Sequence, residues 1–401
     1  MNRPRLLTKD FFIVFFVNFL VVLNFYLLMV TISLYAMNKF NSSPGEAGFA
    51  TSIFVIGVLI ARLWAGRWIE RIGRKNTLYV GLILGVVTTL LYFTVNSLML
   101  LYIVRFFNGM SFGISSTATG TVITNVIPKE RRGEGIAYYT LSGTFASAVG
   151  PFIGMLIIQH GDMKLTFLAS VISAVTSLVI TFFLLFSEIK LTQDQLQDIK
   201  EFKFSSFFET KALPISFFNA IVYMCYGSIL TFLSAYVIEI GLVGVASFFF
   251  IILSTAILIS RPISGRLFDL KGENFVMYPA LLIFVIALIL LSQAHHGYIL
   301  LIAGALVGVG LGTIQSSSQA IAVKVTPPYR MGLAISTFFF LLDSGLGIGS
   351  FVFGLVIPFT GYRGLYVGTA VVVFACIFLY YIVHGKKALP GNTDLEQTNR
   401  A

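Results

Sequence analysis

Two ionisable residues stand deep inside long apolar runs, where a charge is costly unless it serves some chemistry. Asp343 lies eleven residues into a run that begins near Gly332, about 16 Å along a helix rising 1.5 Å per residue. Desolvation disfavours the charged form of a carboxyl there, which suits it to carry a proton or to meet a cationic solute. Gly345, Gly347 and Gly349 follow on the same run and permit close helix contact or movement. Arg105 is the second such residue. Inserting a guanidinium into hydrocarbon costs roughly 2.5–3.5 kcal/mol, so Arg105 should face a protein interior. A fixed positive charge there favours the ionised form of a neighbouring carboxyl, or binds an anion.

Polar residues recur in other apolar runs at separations of three, four and seven, which places each set on one helix stripe. Asn24 and Thr31 form one such set, and Arg105, Asn108 and Ser115 a second. Asn219, Tyr223 and Tyr226 form a third, and Gln315 with Gln319 a fourth. Such stripes line a substrate path or hydrogen-bond helix to helix. Other apparent motifs fail on context. Gly109-Met110-Ser111-Phe112-Gly113 has the spacing of a nucleophile elbow but sits within an apolar run with no strand before it. His160, His295, His296 and His384 include no pair at helical metal-ligand spacing, and no phosphate-binding Gly-x-x-x-x-Gly-Lys-Ser/Thr loop occurs. Cys225 and Cys376 fall within apolar runs, where packing is their expected role. No enzyme activity, metal or cofactor is therefore expected, and uphill work would draw on an ion gradient.

The elements that must carry these residues follow from composition. Of 401 residues, 57% are hydrophobic and 11% charged, against about a quarter charged in soluble domains. Twelve stretches have the roughly 20 apolar residues that a bilayer core demands: 11–37, 47–65, 77–95, 98–123, 135–158, 166–186, 212–238, 243–264, 275–291, 298–323, 332–359 and 365–383. With the N-terminus inside, cytoplasmic segments hold 21 of the 27 Lys and Arg, the bias of a multi-pass cell-membrane protein with both termini cytoplasmic. That distribution accounts for the +10 net charge without nucleic acid. Arg62 and Arg261 are expected to reach toward the cytoplasmic surface.

The chain also repeats itself at a constant offset of 199 residues. Without a gap, Arg62 matches Arg261, Gly73 matches Gly272, Gly109 matches Gly308, Pro128 matches Pro327, Arg131 matches Arg330 and Gly150 matches Gly349. The expected layout is a six-helix bundle over 1–187, a charged cytoplasmic linker over 188–211 and a second six-helix bundle over 212–401. An even number of spans per copy inserts both in the same sense, with the solute site between repeats.

The second run is followed by Gly66-Arg67-Trp68-Ile69-Glu70-Arg71-Ile72-Gly73-Arg74-Lys75. This resembles the signature loop of the major facilitator superfamily, with Glu70 where the family usually has Asp. The second copy, Gly265-Arg266-Leu267-Phe268-Asp269-Leu270-Lys271-Gly272, keeps the acid and loses most of the basic run. The stretch from Leu101 to Gly109 resembles the family's second motif, a buried Arg four residues before a Gly. Gly143 and Gly150-Pro151-Phe152-Ile153-Gly154 resemble its third, associated with exporters, where Pro151 should kink the helix. The resemblance implies an all-α membrane protein of twelve transmembrane helices in two pseudo-symmetric six-helix bundles. It implies a gate built from Gly66, Arg67, Glu70, Arg71, Gly73, Arg74, Arg131, Gly265 and Asp269. A pairing of Glu70 worth about 1–2 kcal/mol would shift a conformational ratio about tenfold.

The function so implied is secondary active transport: proton-coupled efflux of a small organic solute by alternating access, as a monomer. Asp343 would carry the proton and Arg105 would tune it. An importer or uniporter on the same fold, and a ligand-sensing receptor without turnover, are the rival readings.

Overall fold

Hydrocarbon offers no partner to a backbone N–H or C=O, so runs of this kind satisfy their backbones internally, as helices. The computed structural model describes residues 5–128, 131–160, 163–185, 208–327 and 330–386. Most of the linker expected over 188–211, and the tail beyond 386, lie outside them. Among the described residues, eleven helices are long and apolar enough to cross a membrane. The chain divides into two compact units, Met1–Glu201 and Phe202–Ala401.

The first unit holds α1 (Lys9–Phe40), α2 (Pro44–Ile72), α3 (Arg74–Leu91), α4 (Leu98–Val126), α5 (Arg132–His160) and α6 (Met163–Thr181). The second holds α7 (Leu213–Glu239), α8 (Val243–Lys271), α9 (Glu273–Ser292), α10 (Gly297–Lys324) and α11 (Met331–Tyr380). The 50 residues of α11 are not one regular helix: Gly361, at φ 67 and ψ 177, divides it into 331–360 and 362–380. The 199-residue offset reappears in the elements, since α2 shifted by it coincides with α8 at both ends.

Several helices outrun the apolar stretches that announce them. A capping box starts α2 three residues early, Ser43 N–H donating to Glu46 Oε2 at 2.8 Å while Glu46 N–H donates to Ser43 Oγ. At its other end the loop expected from Gly66 is helical as far as Ile72. The turn is confined to Gly73, at φ 89 and ψ 159, and its repeat partner Gly272 has φ 86 and ψ 170. Only glycine adopts that conformation without strain, so the paired glycines end the paired helices.

Within each unit, glycines let backbones touch. A methyl group on Gly109 of α4 would overlap the carbonyl oxygen of Phe54 on α2. In the second unit Gly308 of α10 stands in the same relation to Leu253 of α8. Gly150 of α5 lies against Leu23, Tyr26 and Leu27 of α1, and Gly349 of α11 against Met224 of α7. Large apolar side chains fill the outside instead: Ile172 is 57% exposed in the first unit and Val371 63% in the second. Such surfaces are stable facing lipid and not water.

Adding one methyl at these contacts should therefore cost about 1–3 kcal/mol of overpacking. Gly109→Ala and Gly308→Ala are expected to lower the thermal midpoint of the purified protein. Gly120→Ala, with no heavy atom within 4 Å of its Cβ position, should leave the midpoint equal or higher. Equal midpoints for all three variants would mean that the glycine contacts do not hold the helices together.

Candidate functional site

Arg105 is fully buried in the first unit. The tight α2–α4 contact lays its side chain along α2, where Nε donates to the carbonyl of Ala50 at 3.1 Å. Its Nη1 donates to Tyr92 Oη at 3.5 Å, and its guanidinium lies 4.3 Å from the centre of the Phe54 ring. Nη2 is buried with no hydrogen-bond partner. The line continues along α3 and α4: Tyr92 Oη donates to Asn108 Oδ1 at 3.4 Å, and Asn108 Nδ2 to Thr88 Oγ1 at 3.0 Å. Among the described residues no carboxylate hydrogen-bonds to Arg105, and its charge is met there by neutral dipoles and a ring face.

Beside this spine α1, α2, α3, α4 and α6 line a partly open cavity of about 30 Å³, room for about two water molecules. Asn24, Asn108, Ser111 and Ser115 supply its polar wall, with Ser177 from α6. Phe25, Phe54 and Phe112 supply an aromatic wall, their ring centres 5.0–5.8 Å apart. Ser115 Oγ is buried without a partner, whereas Ser111 Oγ donates to the Gly81 carbonyl at 2.8 Å. Asn24 Nδ2 donates to the Ser170 carbonyl at 3.1 Å, tying α1 to α6. Asn24 of one sequence stripe and Asn108 and Ser115 of another meet at this cavity. Thr31 lies elsewhere, buried, bonded to the Leu27 carbonyl and packed against Gly154. Sequence reasoning missed Ser111, Ser177 and the aromatic wall, although Ser111 and Phe112 continue the α4 spacing that begins at Asn108.

In the second unit Asp343 is half-buried on α11. Close approach brings Gly345 onto the Ala220 carbonyl of α7, next to Asn219. Asn219 is fully buried, and neither its Oδ1 nor its Nδ2 finds a partner. Tyr223 and Tyr226 are buried with rings edge to face at 5.7 Å. Arg261 is half-buried, and Gln315 on α10 offers Oε1 to its Nη2 at 3.0 Å. That contact also occupies part of Gln315, while Gln319 is half-buried. One polar cluster went unforeseen. Glu273 pairs with Lys324 at 2.7 Å and with His384, and Asn274 Nδ2 donates to the Gly385 carbonyl at 2.9 Å.

A family model described as Major Facilitator Superfamily matches residues 14–342 and 243–400. The chain belongs to this superfamily. An MFS-type transporter of Methanocaldococcus jannaschii, MJ1560, is 24% identical over 91% of this chain and 95% of its own. The staphylopine export protein of Staphylococcus aureus is 22% identical over 86% and 87%. Multidrug resistance protein MdtG of Escherichia fergusonii is 24% identical over 86% and 84%. Among solved structures, a bacterial homologue of the human lysosomal transporter Spinster, inward-facing and unoccupied, superposes with a TM-score of 0.75. It is 14% identical, covering 98% of this chain and 100% of that one. The protein is thus a multi-pass membrane member of a transporter family, and that family is not one of enzymes.

The superfamily's signature stretch is partly visible. The side chains of Gly66, Arg67, Glu70 and Arg71 lie outside the described ones. Arg74 follows the Gly73 turn with Nη1 buried and unpartnered. Lys75 Nζ donates to the Leu184 carbonyl beyond α6 at 3.1 Å, and the equivalent Asn274 does the same for Gly385. Arg131 is half-buried after α4. In the second copy Gly265 and Asp269 are exposed, and no heavy atom lies within 4 Å of a Cβ on Gly265. The close approach expected of a gating glycine is absent there. In the third motif, Gly150 and Gly154 touch α1, whereas Gly143 has nothing within 4 Å. The helix α5 continues through Pro151 from Arg132 to His160.

Because Arg105 is buried without a counter-ion among the described residues, its charge costs more than it contributes to folding. Arg105→Met should therefore unfold at or above the wild-type temperature, while Arg105→Ala, which empties the site, should lose about 2–5 kcal/mol. A Met variant as unstable as the Ala variant would make the guanidinium a structural requirement.

Proposed function

We propose that this chain is a secondary active transporter that exports a small organic solute from the cell in exchange for protons. In this reading the chain crosses the membrane twelve times as two six-helix bundles, with both termini cytoplasmic. The break at Gly361 supports the twelfth crossing, because 362–380 lies 199 residues beyond α6. A single helix of 50 residues would be about 75 Å long, well beyond a bilayer core.

The observation that carries proton coupling is an acid placed in an apolar helix at a backbone-tight contact. Asp343 sits two residues before Gly345, which touches α7, and six before Gly349, which does so again. A carboxyl in such surroundings changes the helix contact when it changes charge, because the ionised form demands solvation that the neutral form does not. Export, as opposed to import, draws support from relatives named for staphylopine export and multidrug resistance and from the Gly150-Pro151 motif on α5. The gate comprises Gly66, Arg67, Glu70, Arg71, Gly73, Arg74 and Arg131, with Gly265 and Asp269 as its weaker second copy. Solute contacts come from the polar stripes on α1, α4, α7 and α10, and the working unit is a monomer.

Reconstituted vesicles with an imposed pH gradient test the coupling. Asp343→Asn should abolish gradient-driven solute movement while leaving the thermal midpoint close to wild type. Wild-type flux in that variant would remove Asp343 from the coupling step, and flux in the opposite sense under the same gradient would make the protein an importer.

A further inference from the structure

The internal repeat allows each polar position of the first unit to be compared with its counterpart 199 residues on. The counterparts of Arg105, Tyr92, Asn108 and Thr88 are Gly304, Leu291, Val307 and Ala287. Where Arg105 reaches across to Ala50, the second unit has Gly304 packed against the ring of Phe249, the counterpart of Ala50. Large and small have changed places. The cavity shows the same reversal. In the first unit Gly85 faces Ser111, its Cβ position 2.7 Å from Ser111 Oγ. In the second, Phe284 faces Gly310, whose Cβ position is 2.9 Å from Phe284 Cβ. The counterpart of Ser115 is Ile314, and both Phe284 and Ile314 are fully buried. One scaffold thus carries a polar hollow in its first copy and a filled apolar core in its second.

We propose that the hollow in the first unit binds a small neutral polar head group, a carboxamide or hydroxyl attached to an aromatic ring. Resting on the transport reading above, it is the recognition pocket for the exported solute. Four observations select that chemistry. The cavity walls carry no formal charge. They offer both kinds of hydrogen-bonding partner: Ser115 Oγ, buried and unpartnered, can donate, and Ser111 Oγ, already donating to Gly81, can accept. A head group that both donates and accepts satisfies both, whereas a carboxylate only accepts and an amidinium only donates. Arg105 disfavours cations further, since it lies one turn from Asn108 on the same helix and over the Phe54 ring that walls the cavity. The hollow, at about 30 Å³, takes the head group alone, and the attached ring packs at its open side against the wall of Phe25, Phe54 and Phe112.

The second copy also supplies the variant. Gly85→Phe combined with Ser111→Gly installs the Phe284 and Gly310 pair, a packing that this scaffold already accommodates. The probes are three isosteres that differ in head-group charge: benzamide, benzamidinium and benzoate. Binding to the purified full chain in lipid nanodiscs is read by saturation-transfer NMR. The expected result is preferential binding of benzamide to the wild type, weakened tenfold or more in the double variant, with the thermal midpoint retained. Equal benzamide binding by both proteins would overturn the site. Stronger binding of benzamidinium or benzoate, or no binding of any probe to the wild type, would overturn the ligand class. If the double variant unfolds, Ser115→Ala provides the reading, and undiminished benzamide binding by it counts against the site. Failure of the transport reading shows elsewhere: benzamide would bind while no solute moves under a pH gradient.

Discussion

The contact of one helix backbone on another at glycine is the constraint from which the remaining structure follows. In lipid the helices gain little from burying apolar surface, so association depends on packing distance. At Gly109 against Phe54, and at Gly308 against Leu253, no side chain intervenes between α4 and α2 or between α10 and α8. Such contacts fix helix rotation as well as separation, because only one face of each helix can come so close. Residues on neighbouring faces then have little freedom. Arg105, one turn before Gly109, has to run alongside α2, and Asn108 turns toward Thr88 of α3 and Tyr92 just beyond it.

The polar spine in the first unit can therefore be understood as what remains when close packing is complete and something must occupy the gaps. A buried guanidinium with a neutral carbonyl, a phenol and a ring around it is poorly compensated. Its second-copy counterpart shows that the fold has no need of it, since Gly304 and Phe249 fill the same volume with apolar atoms. A costly group retained in one copy and replaced in the other fits a role in handling solute or charge better than one in folding.

The glycines serve two separate purposes, and sequence alone does not tell them apart. Gly73 and Gly272 are turn residues at positive φ that end α2 and α8. Gly150, Gly154, Gly345 and Gly349 are contact residues within helices. Gly143 and Gly265, grouped with them by motif, touch nothing within 4 Å. A motif records which residue types recur, while the neighbour that gives each one its purpose comes from elsewhere in the chain.

The sequence by itself determined what depends on local composition and on period. Apolar runs of bilayer length dictated helices, and the 199-residue repeat recurs in the matching bounds of α2 and α8. Spacing along a helix is a local property, so the α4 stripe put Asn108 and Ser115 on one face, and both line the cavity. Only the tertiary structure decided which stripe faces a hollow and which is helix packing. Thr31 shares a stripe with Asn24 yet is buried against Gly154, and Arg261 of α8 finds Gln315 of α10. It also decided where helices end, because a helix does not stop at the edge of its apolar run: α2 persists to Ile72 until Gly73 takes a conformation that the helix cannot continue. The first two outcomes depend on residues far apart in the chain, and the third on a backbone angle for which the glycine marks the position but not the conformation.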